Sequence, residues 1–288
     1  MAPTADFTPE EASRMEEPAP TGQPLTSRYL RRLGVGELPA RTSPFDPGYD
    51  PATLEGHLEQ SAHLMSILKL SMACWMIAEE GATRRKITAA AGHGVPVVTG
   101  GGPFEIAVAQ GELAAYLDLC AELGVARVEC GEGFTELAVS AEAVVGMAHA
   151  RGLGVQFELG KKHRGKFARA TVGSLIGRGR AWLDAGALQV VIEARESGRD
   201  VGLFDMKGHL DVAAAERFVE AFGPDAVVFE APTKASQFAL LDHFGPGVLL
   251  SNVRLEELLR VESYRRGLHS DAFGRPNLSP RTDDRRWQ

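Results

Sequence analysis

The stretch ARVECGEGFTELAVSAEAVVGMAHARGLGVQFELGKK, residues 126–162, contains the unit from which most of the chain is built. It holds two short apolar runs, ARVEC (126–130) and VQFEL (155–159). Each is too short for a helix and too continuous for a strand with one solvated face, which is how strands buried on both faces read. Between them AEAVVGMAHARG (141–152) is amphipathic and ends in glycine, the usual residue just past a helix C-terminus. Strand, helix and strand in this order imply a parallel βαβ unit.

The alternation continues in both directions. MSILKL (65–70), VPVVTG (95–100), LQVVIE (188–193), AVVFE (226–230) and GVLLSN (247–252) read as further strands. ELAAYLDLCAELG (112–124) and AAAERFVEAFG (213–223) read as further helices. The weaker, more polar LPARTSPFD (38–46) must serve as the first strand if the count is to reach eight. Eight such units in roughly 250 residues make a (β/α)8 TIM barrel. An open doubly wound sheet would carry a Gly-rich phosphate loop after its first strand, and none stands there. The barrel is predicted over residues 28–275. Residues 1–27, rich in proline and acidic side chains, are predicted as a disordered tail, and 276–288 as a C-terminal tail.

Composition narrows the function. Of 288 residues, 31 are Lys or Arg and 38 are Asp or Glu, a net charge of −7, which argues against a nucleic-acid partner. No apolar run of about 18 residues marks a membrane span, and the N-terminus lacks the apolar core of a secretory signal. The three cysteines form no CxxC pair, so a reducing cytoplasm is expected and a thiolate metal site is not.

Barrel active sites lie at the C-terminal ends of the strands. Those ends supply Asp46, Lys69, Gly100 and Gly101 with Glu105 downstream, and Glu129 with Glu132. They continue with Glu158 and Lys161, Glu193 with Arg195 and Glu196, then Glu230 and Asn252. Charged groups are seldom buried unless paired or bound to metal. Carboxylates from several strands, with few histidines, suit Mg2+ and its preference for oxygen ligands. The alternative is a salt-bridged rim in which Lys161 and Arg195 merely neutralise Glu158 and Glu196. No HExxH pattern supports zinc. GGG (100–102) is either a phosphate cradle or a tight turn. Arg265 and Arg266 follow the last unit, where barrels often bind phosphate, or they are cations at a helix C-terminus.

Several segments now invite comparison: TGGGPFE (99–105), ELGKK (158–162), VIEARESGRDVGLFD (191–205), VVFEAPTKASQ (227–237) and ESYRRGLHSDAFG (262–274). In order and spacing the chain resembles the phosphosulfolactate synthase family from about residue 41 to 274. Asp46 and Lys69 also match a family Asp-x-Gly turn and strand-end lysine. The resemblance implies a (β/α)8 barrel, a cytoplasmic homo-oligomer, that adds sulfite to phosphoenolpyruvate with Mg2+. It implies Glu129, Glu158, Glu193 and Glu230 as metal ligands and Lys161 as the acid that protonates C2, with Lys69 the alternative acid or a carboxylate clamp. Glu105 joins the catalytic group. Arg195, Arg265 and Arg266 are expected on phosphate or sulfite oxygens, and Asp46, Gly100, Gly101, Glu196 and Asn252 on substrate.

The chain also departs from the family pattern. Ser71, Met72 and Ala73 follow Lys69 where a Gly-rich segment is usual, Phe134 replaces a polar contact, and His269 stands where arginine is common. Two further readings follow from these changes. One is a paralogue that adds a different nucleophile or acceptor to phosphoenolpyruvate or a related phosphorylated enol. The other is a non-catalytic, stress-associated relative.

Overall fold

The apolar runs form eight parallel strands in the computed structural model, which describes residues 24–162 and 165–278. They are β1 (Thr42–Asp46), β2 (Leu68–Leu70), β3 (Val97–Thr99), β4 (Arg127–Gly131), β5 (Gly154–Leu159), β6 (Gln189–Ile192), β7 (Val227–Glu230) and β8 (Leu249–Arg254). They close in sequence order into a barrel, with β8 pairing β1. The expected tail over residues 1–27 lies outside the described residues up to position 23. Residues 25–27 instead open α1 (Leu25–Arg32), which belongs to a separate compact unit from the barrel. Residues 279–288 of the expected C-terminal tail also lie outside the described set.

Ten helices follow among the described residues: α2 (Pro51–Ser61), α3 (Cys74–Ile77), α4 (Glu80–Gly92), α5 (Gly101–Ala109), α6 (Leu113–Leu123), α7 (Ala141–His149), α8 (Arg169–Asp184), α9 (Val212–Phe222), α10 (Lys234–Phe244) and α11 (Leu258–Arg265). Local chemistry sets their ends. Asp50 caps α2 by accepting from the Ala52 and Thr53 amides, and Pro51 sits at the first turn, where its missing N–H costs nothing. Thr233 and Ser236 form a reciprocal capping box on α10. Gly124 stops α6 in the left-handed conformation at φ 83°. Among the described residues, no helix is long and apolar enough to cross a membrane.

Alternation along each strand divides the interior in two. Val128, Cys130, Val155, Phe157, Leu159, Val190 and Ile192 join the helices in one large apolar core. Phe157 stacks on Trp182 with ring centroids 4.2 Å apart, and truncating Trp182 to alanine should cost about 3–5 kcal/mol. The intervening residues face the lumen. Val191, Val228 and Leu249 make a small separate cluster there, and most other lumen positions on β4 to β8 are polar: Arg127, Glu129, Gln156, Glu158, Gln189, Glu193, Glu230 and Ser251. All five residues of β1 are buried despite their polar composition. Its register against β8 shifts between Thr42 and Pro44.

Barrel helices run antiparallel to the strands, so the C-terminal end of α11 arrives at the N-terminal ends of β1 and β8. Arg265, only 1% exposed, donates there to Pro246 O at 2.7 Å, Val248 O at 2.8 Å, Thr42 Oγ1 at 3.0 Å and Glu262 Oε1 at 3.0 Å. Thr42 in turn donates to Glu262 Oε1 at 2.6 Å, and Arg266 pairs with Glu262 Oε2. Arg265 therefore ties α11 to β1 and β8 at the closed, far end of the barrel, and Arg266 supports it through Glu262. This corrects their assignment to substrate: a cation ending the last helix points away from the mouth.

Candidate active site

Four glutamates end their strands at the C-terminal rim and are buried: Glu129 after β4 begins, Glu158 on β5, Glu193 just past β6 and Glu230 closing β7. Lys69 enters between them from β2. Its Nζ lies 2.7 Å from Glu129 Oε1 and 3.3 Å from Glu230 Oε1. Burial alone would pull this ammonium's pKa down, but Glu129, Glu230 and Glu158 together hold it well above the usual lysine range. Lys69 is thus a permanent cation. Glu129 also accepts from the Gly101 amide at 3.1 Å and from Gln156 Nε2 at 2.8 Å. Glu230 Oε2 accepts from the amides of Ala194 at 2.8 Å and Arg195 at 3.1 Å.

Glu158 and Glu193 are less well provided. Glu158 Oε1 and Glu193 Oε2 are buried with no hydrogen-bond partner. Among the described residues, the cation facing these same two oxygens is Lys162, with Nζ 3.4 Å from Glu158 Oε1 and 3.9 Å from Glu193 Oε2. Burial, and then the charges of Glu158 and Glu230, push the Glu193 carboxyl well above the usual carboxylate range. Lys162 is drawn down by its burial but raised on balance by Glu158 and Glu193, so it too stays protonated.

These groups line a cavity of about 620 Å³, together with Ser71, Met72, Ala73, Gly100, Gly101, Gly102, Phe134, Arg195, Glu196 and Asn252. Gly100 caps α5, whose N-terminal amides and dipole favour an anion. Space here is limited: a Cβ on Gly100 would stand 3.1 Å from the Met72 amide nitrogen. Four non-glycine residues among those described adopt positive φ, and three of them, Met72, Arg195 and Asn252, line this cavity. Such conformations persist where surrounding structure enforces them. At Arg195 the reason is visible, since its amide turns inward to Glu193 Oε1 at 2.6 Å as well as to Glu230.

Other expected site residues are used elsewhere. Asp46 accepts from the amides of Gly48 at 2.8 Å and Tyr49 at 2.6 Å and pairs with buried Lys86 at 2.5 Å, so it builds the turn after β1 instead of meeting substrate. Glu105, fully buried on α5, takes the amides of Gly133, Phe134 and Thr135 and the Thr135 hydroxyl, all within 3.0 Å. It anchors the loop after β4 and touches nothing that reacts. Lys161 donates to Thr135 O at 2.8 Å and is not in the cavity wall, which corrects its role as acid. Its neighbour Lys162 occupies that place. The swap arises at Gly160, whose φ of 136° breaks the strand's alternation just before the two lysines. Phe134, Ser71 and Ala73 do line the cavity, whereas His269 packs beside Phe238 and Tyr264.

The donor set can be tested for a divalent cation. Among the described residues, no three His, Cys, Asp or Glu side chains converge as a metal-binding group. Glu129 and Glu230 are occupied by Lys69 and backbone amides, so four carboxylate ligands are not available. Glu158 and Glu193 fit better, each with a buried oxygen that makes no hydrogen bond and faces the Lys162 ammonium. Mg2+ characteristically takes one or two carboxylates and completes its shell with water and substrate oxygens.

The profile of the (2R)-phospho-3-sulfolactate synthase (ComA) family matches residues 40–271. The chain is 31% identical over 231 residues to the phosphosulfolactate synthase of Methanocaldococcus jannaschii, covering 80% of this chain and 92% of that one. It is 29% identical over 238 residues to the enzyme of the same name from Methanothermobacter thermautotrophicus, covering 82% and 92%. The Bacillus subtilis phosphosulfolactate synthase is 24% identical over 247 residues, covering 82% and 97%.

Proposed function

The chain belongs to the phosphosulfolactate synthase family, and from that premise we propose that it joins sulfite to C3 of phosphoenolpyruvate, giving phosphosulfolactate. The observation that carries this reading is a pair of carboxylate-held ammonium groups, Lys69 and Lys162, facing one cavity beside the N-terminus of α5. An enol phosphate bearing a carboxylate needs positive charge at both ends. In this reading the Gly102 amide and the positive end of the α5 dipole serve the phosphate, and Lys69 serves the carboxylate.

Attack by the sulfite sulfur forms the S–C3 bond, and the C2–C3 π electrons move toward the carboxylate. The charge that builds there is stabilised by Lys69, already in place before reaction. Lys162, an ammonium on the same cavity wall, delivers a proton to C2. Its raised pKa does not disable it, because the carbanion it protonates is a far stronger base. A divalent cation held by Glu158 and Glu193 would supply Lewis-acid stabilisation of the same carboxylate. It would also offset a wall in which three cations, Lys69, Lys162 and Arg195, face five glutamates.

Incubating the protein with phosphoenolpyruvate, sulfite and Mg2+ should yield phosphosulfolactate by mass spectrometry, and no product at high enzyme concentration overturns the proposal. One observation favours a different nucleophile on the same enol. Met72, Ile106 and Phe134, each 45–53% exposed, give the cavity an apolar side that sulfite does not require. A turnover of phosphoenolpyruvate by organic sulfur nucleophiles, exceeding that by sulfite, would select that reading. The two buried glutamate oxygens that make no hydrogen bond argue against the non-catalytic alternative, since they are costly to retain without use.

A further inference from the structure

Deeper in the lumen lies a second cavity of about 220 Å³, polar where such barrels are usually filled by branched apolar side chains. Arg127, at the start of β4, lines it with Gln156, Gln189 and the serines Ser43, Ser66 and Ser251. Among the described residues, the half-buried Arg127 guanidinium has no carboxylate partner. Its acceptors are two amide oxygens, Gln156 Oε1 at 3.1 Å and Gln189 Oε1 at 2.7 Å, and both sit on Nη1. Nε and Nη2 donate to no described protein group, and burial with nothing to offset it lowers the pKa of this arginine. On the same cavity, Ser251 Oγ is buried and has no hydrogen-bond partner, the residue being 2% exposed. A cation without an anion and a hydroxyl without an acceptor share one cavity. Water can satisfy the hydroxyl but leaves the charge uncompensated.

We propose that this cavity binds a small tetrahedral oxyanion of the phosphate or sulfate class, gripped by Nε and Nη2 of Arg127, with the Ser251 hydroxyl as a further donor. A guanidinium fork matches two oxygens of such an ion, which favours an oxyanion over a halide. The site is separate from the mouth but adjoins it. Gln156, held by Arg127 through its oxygen, donates its Nε2 to Glu129 at 2.8 Å. The proposal does not depend on the reaction catalysed above.

Selenate is a suitable probe because it scatters anomalously. Crystals of the full chain soaked in selenate should show a peak within hydrogen-bond distance of Arg127 in this cavity. A peak confined to the mouth, or only water beside Arg127, overturns the proposal. In solution, selenate should raise Tm by about 3 °C over sodium chloride of equal ionic strength. Arg127→Met should reduce that rise, while Lys162→Met, which can remove only the contribution of the mouth, should leave the Arg127-dependent part in place. Should Arg127→Met fail to fold, Ser251→Ala provides the second variant, and the rise should fall by at least half. An undiminished rise in either folded variant also overturns the site.

Discussion

The two ends of this barrel bury charge in opposite ways. At the closed end, Arg265, Glu262 and Thr42 satisfy one another, and the arginine also takes two backbone carbonyls. At the mouth, four buried glutamates share Lys69 and Lys162, and two of their oxygens make no hydrogen bond and meet the Lys162 ammonium at a longer distance. Similar residues thus serve different ends. A complete network contributes rigidity. An incomplete one holds binding capacity in reserve for a ligand that brings charge of its own.

The contrast breaks most sharply on the buried cations. Arg265→Met leaves Glu262 with Arg266 and the Thr42 hydroxyl and should lower stability by about 3–5 kcal/mol in urea titrations, with kcat of the folded fraction nearly unchanged. Lys69→Met should destabilise by a similar amount and also remove activity at least a thousandfold, since both Glu129 and the substrate lose their cation. Equal activity losses in the two variants would erase the distinction drawn here. Next in size, Lys162→Met should cost about 10²–10⁴ in kcat, the range for a lost general acid, while Lys161→Met should cost less than threefold.

The mouth's crowding can be read through pH. Glu193 titrates well above an unfolded glutamate, so the folded state holds the extra proton and stability falls as pH rises from about 4.5 through the folded value. In EDTA, thermal melts of Glu193→Gln should lose that downward slope, and the variant should be the more stable protein at neutral pH. A slope identical to wild type would show that Glu193 is not the crowded group. The smallest effect belongs to Phe134→Ala. This side chain is 45% exposed, so Tm should move by no more than about 1 °C, while KM for the nucleophile changes.

The barrel was legible because strands buried on both faces leave continuous apolar runs, and the glutamates were legible because they recur where those runs stop. β1 was harder, since its burial is not reflected in the polar sequence TSPFD. The choice between Lys161 and Lys162 depends on one backbone torsion at Gly160, which composition does not reveal. Glu105 looked catalytic for a different reason. A carboxylate near the rim carries the same signature whether it meets substrate or holds a loop. Arg265 could have been placed correctly from connectivity alone, because the C-terminus of a barrel helix returns to the end opposite the active site.

The Arg265 bond to Thr42 joins residues 223 positions apart. During synthesis the amino-terminal strand therefore waits, one edge open, until nearly the whole barrel has left the ribosome. A chain released before β8 is complete at residue 254 would present that edge to its neighbours in the cell. Quality control of this protein is accordingly a matter of its eighth strand, and truncations there should be cleared as aggregates or degraded rather than persist as slow enzymes.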